Sequence, residues 1–235
     1  MEHEYSILYA PVNALWHSLQ HRYAWDIPDH VIMAFLVLVI SAIVFPLMSR
    51  RISKDNPSPF QHALELLVEG LRGILREIIG HDGDRYIYII GAFTVFIFVA
   101  NIFGLFYFLQ PPTSNVNTTF ALSISAFLYY NWQGIRRQGV LHYLAHFAGP
   151  IWWLAPIMFP IELIGNFARI LSLGMRLFGN ILGEHTATGI FMGMLPFVVP
   201  WPMMGLGIFG AVLQTFVFIM LMMVYISGAT ATEEH

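Results

Sequence analysis

Long runs without charge alternate with short charged clusters along this chain, and several runs are long enough to cross a bilayer. Residues 31–48 contain no Asp, Glu, Lys or Arg, which is sufficient for one helical span. The cluster SRRISKD follows at 49–55; its Arg50, Arg51 and Lys54 assign this end to the cytoplasm and the N-terminal segment, 1–30, to the outside. Pro57 and Pro59 then break the chain. Residues 60–79 differ in kind. Leu64, Leu67, Val68, Leu71, Ile74, Leu75 and Ile78 recur at helical spacing, while Glu65, Glu69, Arg72, Arg76 and Glu77 mark a polar side. That pattern predicts an amphipathic helix on the cytoplasmic surface, with opposite charges three and four residues apart available for pairing.

The remainder reads as two helical hairpins. Residues 86–109 are apolar and aromatic, 110–119 (QPPTSNVNTT) form an uncharged turn, and the return span from Phe120 passes Trp132 and ends near Arg136 and Arg137, so the first hairpin covers 86–132. The three prolines of 149–160 predict a break. A long helix over 161–194, a turn at 195–202 (LPFVVPWP) and a last span over 203–227 make the second hairpin, 150–227. The expected fold is one all-α polytopic membrane domain over 1–235. It has about five transmembrane helices and one cytoplasmic-surface helix, with the C-terminus in the cytoplasm.

Composition agrees. The chain is 57% hydrophobic and 11% charged, whereas a soluble domain is about 25% charged. The net charge of −3 and the single Lys leave no basic stripe for nucleic acid. With no Cys, disulfides, Cys-ligated zinc and iron–sulfur clusters drop out. No cleavable signal sequence is visible, so 31–48 is read as an uncleaved first span.

The chemistry concentrates in the second hairpin. No acid, Lys or Arg occurs over 138–161 or 186–232, and between those blocks stand Glu162, Arg169, Arg176 and Glu184. Four such charges in a bilayer cost on the order of 10 kcal/mol, so intramembrane ionisable groups point to an ion or proton pathway. Glu162, Arg169 and Arg176 are seven apart and share one helix stripe, which Asn180 continues. Glu184 lies about a quarter turn off it, and His185 faces roughly the opposite side. Arginine stays charged and cannot relay a proton, whereas a glutamate or histidine can. A fixed cation between titratable groups is what a pump needs to block a direct leak. Gly165, Ala168, Ser172, Gly174, Gly179, Gly183 and Gly189 punctuate the same helix. They serve either close helix packing or a smooth surface for a moving partner. Gln214 is placed to hydrogen-bond across to the Arg176 region.

The segment LSLGMRLFGNILGEH (171–185), with the Gln-bearing LQTFVFIMLMMVYIS span, resembles the a subunits of F-type ATP synthases, and the likeness covers most of the chain. The resemblance implies the static half of a proton motor: a non-catalytic subunit of the complex beside a ring of c subunits, held by the b-subunit peripheral stalk. It lies in the bilayer of a bacterial inner membrane, passes protons and calls for no cofactor. Arg176 would face the ring carboxylate between two half-channels, with Asn180, Gln214 and Glu162 at matching polar positions and the last two helices long and tilted. Relatives carry Glu or His where His185 stands, and Glu184 is the other candidate relay. Some relatives have His where this chain has Gly207, and Asp in the turn that holds Asn115 and Asn117. Three other functions compete. A stand-alone secondary ion transporter would need internal repeats, and none is evident. A His-ligated metal or redox membrane protein would use His142 and His146, yet no further ligands are organised around them. A hydrolase built on Ser172 lacks a nucleophile turn.

Overall fold

The computed structural model describes residues 9–19, 28–49, 58–105, 110–140, 143, 153–194 and 200–230, and among these there is no strand. Seven α-helices are described: α1 Tyr9–Leu19, α2 Asp29–Ser49, α3 Pro59–Ile79, α4 Ile87–Phe103, α5 Val116–Gln138, α6 Ala155–Met194 and α7 Pro200–Thr230. The expected polytopic all-α fold is what the chain forms. Helix α1 lies in the N-terminal segment, for which no element was expected. His142, His146 and most of the 195–202 turn fall outside the described residues.

Helix α3 begins where its capping chemistry predicts. Ser58 Oγ accepts from the Gln61 N–H at 3.2 Å and Pro59 stands at the first helical position. Its second half sends Leu71 and Leu75 into the core, while Leu66, Leu67 and Val68 remain exposed. The arginines do not pair with the acids of their own helix. Arg72 and Arg76 both reach Asp84, at 3.5 and 2.7 Å, in the 3-10 helix His81–Tyr86. Glu65 takes Gln61 Nε2 at 2.8 Å instead.

Helix α7 is the centre of the bundle, packed against α3, α4, α5 and α6. Phe218, Met222, Met223 and Ile226 are buried there with Ile90 and Ile97 of α4, Tyr130 of α5, and Leu173 and Leu177 of α6. Long apolar helices cover Asp82–Phe103, Ala155–Phe191 and Trp201–Thr230. Helix α5 is less apolar, and the bundle accounts for this by pairing its polar groups internally. Tyr130 donates to Asn166 Oδ1 at 2.6 Å, while Asn131 Oδ1 accepts from Tyr143 at 2.7 Å and from Asn166 at 3.1 Å.

Three expected boundaries move. Helix α4 stops at Phe103, well short of Leu109. The 110–119 turn folds into the bundle rather than lying free: Pro111, Pro112 and Thr113 are buried, and its 3-10 turn contacts α2, α4, α5 and α6. Helix α6 starts at Ala155, because Pro156 sits in the first turn, where proline is tolerated, and Pro160 is carried inside the helix. With 40 residues, α6 is about 60 Å long, against a hydrocarbon core of about 30 Å. Helix α7, at 31 residues, is about 45 Å long.

Candidate functional site

The antiparallel seam between α6 and α7 brings together three of the polar residues singled out above, Asn180, Glu184 and Gln214. Asn180 Nδ2 donates to Gln214 Oε1 at 2.7 Å. One turn along, the Glu184 carboxylate lies against α7 at Gly207 and Gly210. The register is consistent: four residues forward from Asn180 is Glu184, and four and seven back from Gln214 are Gly210 and Gly207.

Gly207 is buried and leaves the space the carboxylate fills. A Cβ there would collide with Glu184 Oε1 and Leu105 Cδ2, whereas one on Gly210 would sit 3.6 Å from Glu184 Oε2, an ordinary contact. The sequence marks Gly207 only as a position where some relatives carry His; in the fold it lies against the Glu184 carboxylate. His185, one residue on, is exposed, and Glu184 is half-buried.

Gln214 is 3% exposed, and its Nε2 has no hydrogen-bond partner in the bundle. Its acceptor is used by Asn180, so a donor remains available inside the seam to a water or a carboxylate oxygen. A second such amide was not singled out from sequence. Asn101 on α4 is 3% exposed, its Oδ1 accepts from Thr113 Oγ1 at 3.1 Å, and its Nδ2 is unpartnered. One turn on, Leu105 touches the Gly207 site. The available signal was an Asn in a helix whose only other hydrogen-bonding side chains are Thr94 and Tyr88.

Arg176 is exposed and has no ion-pair partner among the described residues. Around it the outer face of α6 is apolar and open: Phe167, Leu171, Met175 and Leu182 are exposed. Gly165, Gly179, Gly183 and Gly189 would meet nothing within 4 Å if given a Cβ. Gly174 is the packing glycine, with Ser123 Oγ of α5 at 2.8 Å from its ideal Cβ. The small residues therefore divide between a packed face and an open one.

Glu162 stands apart from the seam. It is exposed and 4.0 Å from Arg169, whose guanidinium lies 5.0 Å from the Tyr225 ring centroid. Asn115 caps α5, its Oδ1 accepting from the Asn117 N–H at 2.9 Å, so it has a local structural use. Among the described residues no group of three His, Asp or Glu is arranged to hold a metal.

A family model described as ATP synthase A chain matches residues 31–227. The chain belongs to that family. It is 40% identical to ATP synthase subunit a of Nitratiruptor sp. over 201 residues, covering 85% of this chain and 88% of the relative. It is 41% identical to the Trichlorobacter lovleyi subunit a over 213 residues, with 90% and 92% covered. It is 41% identical to that of Geobacter sulfurreducens over 201 residues, with 86% and 87% covered. As a family member the chain is a multi-pass component of the proton-translocating sector of an F-type ATP synthase.

Proposed function

We propose that the chain is the stationary, non-catalytic wall of the proton path, with Arg176 as its fixed cation and Glu184 as its titrating relay. The observation that carries this is the contrast along α6. An exposed, unpaired guanidinium stands two turns from a half-buried carboxylate, with the Asn180–Gln214 hydrogen bond between them. The open apolar face around Arg176 suits a ring of c subunits, each bringing one carboxylate. Arg176 attracts that carboxylate when it is deprotonated and repels a free proton, so protons cross only by riding the ring. Glu184 exchanges protons with one aqueous side, and the free Gln214 amide donor steadies a water or the arriving carboxylate. ATP is made elsewhere in the complex, and the b subunits of the peripheral stalk hold this chain against the ring's torque. The basic clusters at Arg50–Lys54 and Arg136–Arg137 orient the chain in a bacterial inner membrane with the N-terminus outside and the C-terminus in the cytoplasm. Glu162 and His185 take no direct part in the seam: Glu162 neighbours Arg169, and His185 is exposed.

The test compares Glu184→Gln with His185→Gln in membrane vesicles, scored by ATP-driven proton pumping at equal amounts of assembled complex. Glu184→Gln loses pumping and His185→Gln keeps most of it. The reverse order would move the relay to His185, and full pumping in both would remove it from this helix turn.

A further inference from the structure

A second polar site lies well away from the seam, at the end of the bundle where α4 begins and α5 ends. A cavity of about 380 Å³ is lined by Arg85, Tyr86, Tyr129, Gln133, Arg136 and Arg137, a volume within the range of small-ligand sites. Three guanidiniums converge on it. Asp82 answers two of them, accepting from Arg137 at 2.8 Å and lying 3.4 Å from Arg85. Arg136 has no acidic partner among the described residues. The neighbouring Asp84 is engaged by Arg72 and Arg76 on the other side of the 3-10 helix. Three positive charges against one carboxylate leave the cavity cationic, with two tyrosines and a glutamine as further lining groups.

We infer that this cavity binds the phosphate group of an anionic phosphoester at the bilayer surface. Guanidinium forks match phosphate oxygens two at a time and are less strongly hydrated than ammonium groups, which suits a half-enclosed site. The cavity's position favours a phospholipid headgroup as the source. It sits where the apolar helix α4 begins and α5 ends, and Tyr88 and Trp132, within two residues of its lining, are 86% and 62% exposed, as interfacial aromatics are. Basic pockets between helix ends hold lipid headgroups in this way. The inference rests on membrane insertion and does not depend on Arg176 or Glu184.

The test uses the assembled complex, stripped of lipid in detergent and re-supplied with phosphatidylglycerol, phosphatidylcholine or inorganic phosphate, with bound ligand counted by mass spectrometry. The wild-type complex retains phosphatidylglycerol over phosphatidylcholine, and Arg85→Gln and Arg136→Gln each weaken retention about tenfold, the equivalent of one charge-assisted hydrogen bond. Arg85→Lys keeps the charge but not the fork, and recovers part of the loss. Inorganic phosphate that binds and displaces the lipid at equal occupancy supports the phosphate site and makes a soluble anion its source. Equal retention in wild type and both Gln variants, with the complex intact, overturns the site. So does a cross-link from Arg136→Cys to a neighbouring protein chain in place of lipid.

Discussion

Arg169 and Arg176 stand seven residues apart on the same helix and meet opposite surroundings. Around Arg169 the polar groups are matched. The guanidinium lies over Tyr225 and near Glu162, and Asn166, Tyr130, Asn131 and Tyr143 close a hydrogen-bonded network beside it. Around Arg176 they are left open. The guanidinium is exposed, the Gln214 amide keeps an unused donor, and Gly179 and Gly183 face empty space. A network with its donors and acceptors satisfied rigidifies a bundle. An unpaired charge and an unused buried donor cost stability, and they are tolerated where a moving partner or a proton takes up the bond. On the proposed reading the first region is scaffold and the second is working surface, although residue type and helix stripe are shared.

The largest expected effect comes from removing the exposed cation. Arg176→Ala abolishes ATP-driven pumping while leaving assembly intact, because the side chain is exposed and has no ion-pair partner among the described residues; surface substitutions of this kind change stability by about 0.5 kcal/mol or less. Immunodetection of the assembled complex beside a pumping assay checks both halves of that statement. Next comes Gly207→Ala. Its methyl group displaces the Glu184 carboxylate, and pumping falls about 10- to 100-fold, as misplacement of a reacting group by an ångström does. Gly210→Ala, with ordinary contact distance available, pumps as wild type. Equal effects at the two glycines would show that Glu184 does not need its seat.

On the scaffold side, Tyr130→Phe removes a buried 2.6 Å hydrogen bond to Asn166. It lowers stability by about 1–3 kcal/mol, read as an earlier thermal unfolding of the complex, and pumping per assembled complex is unchanged. The smallest effect belongs to Arg76→Gln, which breaks an exposed pair with Asp84. The hydrogen bond Arg76 donates to Asp84, followed by the Asp84 charge, raises the Arg76 pKa above the ordinary arginine value. A raised pKa adds stability that is fully present below the unfolded value and is lost only as pH rises through the folded one. No pH dependence from the Arg76 side of this pair therefore arises near neutrality, where salt weakens it. A marked change in stability with pH between wild type and Arg76→Gln would contradict that reading.

Much of this fold was legible in the sequence because membrane helices announce themselves by uninterrupted apolar length and their boundaries by charge. The α5 end near Arg136 and Arg137 is an example. Local rules failed where tertiary packing overrode them. Prolines read as a break at 149–160 were absorbed into α6 from Ala155 onward. An uncharged Pro/Asn/Thr turn, which looks like a solvent loop, was instead buried among four helices. The pairing of Arg72 and Arg76 with Asp84 crosses from one element to the next, which spacing within a helix cannot reveal.

The site divides the same way. Residue types and positions along the chain singled out Arg176, Asn180, Glu184 and Gln214, because polar groups in apolar helices are conspicuous. Gly207 carried no such signal. Its use depends on the register between two helices, and only the fold supplies that register. Asn101 was conspicuous by the same rule and was missed because it lies outside the second hairpin.

The most direct test of the working-surface account is passive proton conductance, measured without ATP in vesicles carrying the assembled complex, with Arg176→Ala compared to wild type under an imposed pH gradient. If the exposed guanidinium separates two aqueous paths, the variant leaks faster than wild type, and an inhibitor that stops ring rotation does not suppress the excess. Conductance equal to wild type, with pumping preserved, would make Arg176 a structural residue and contradict the account.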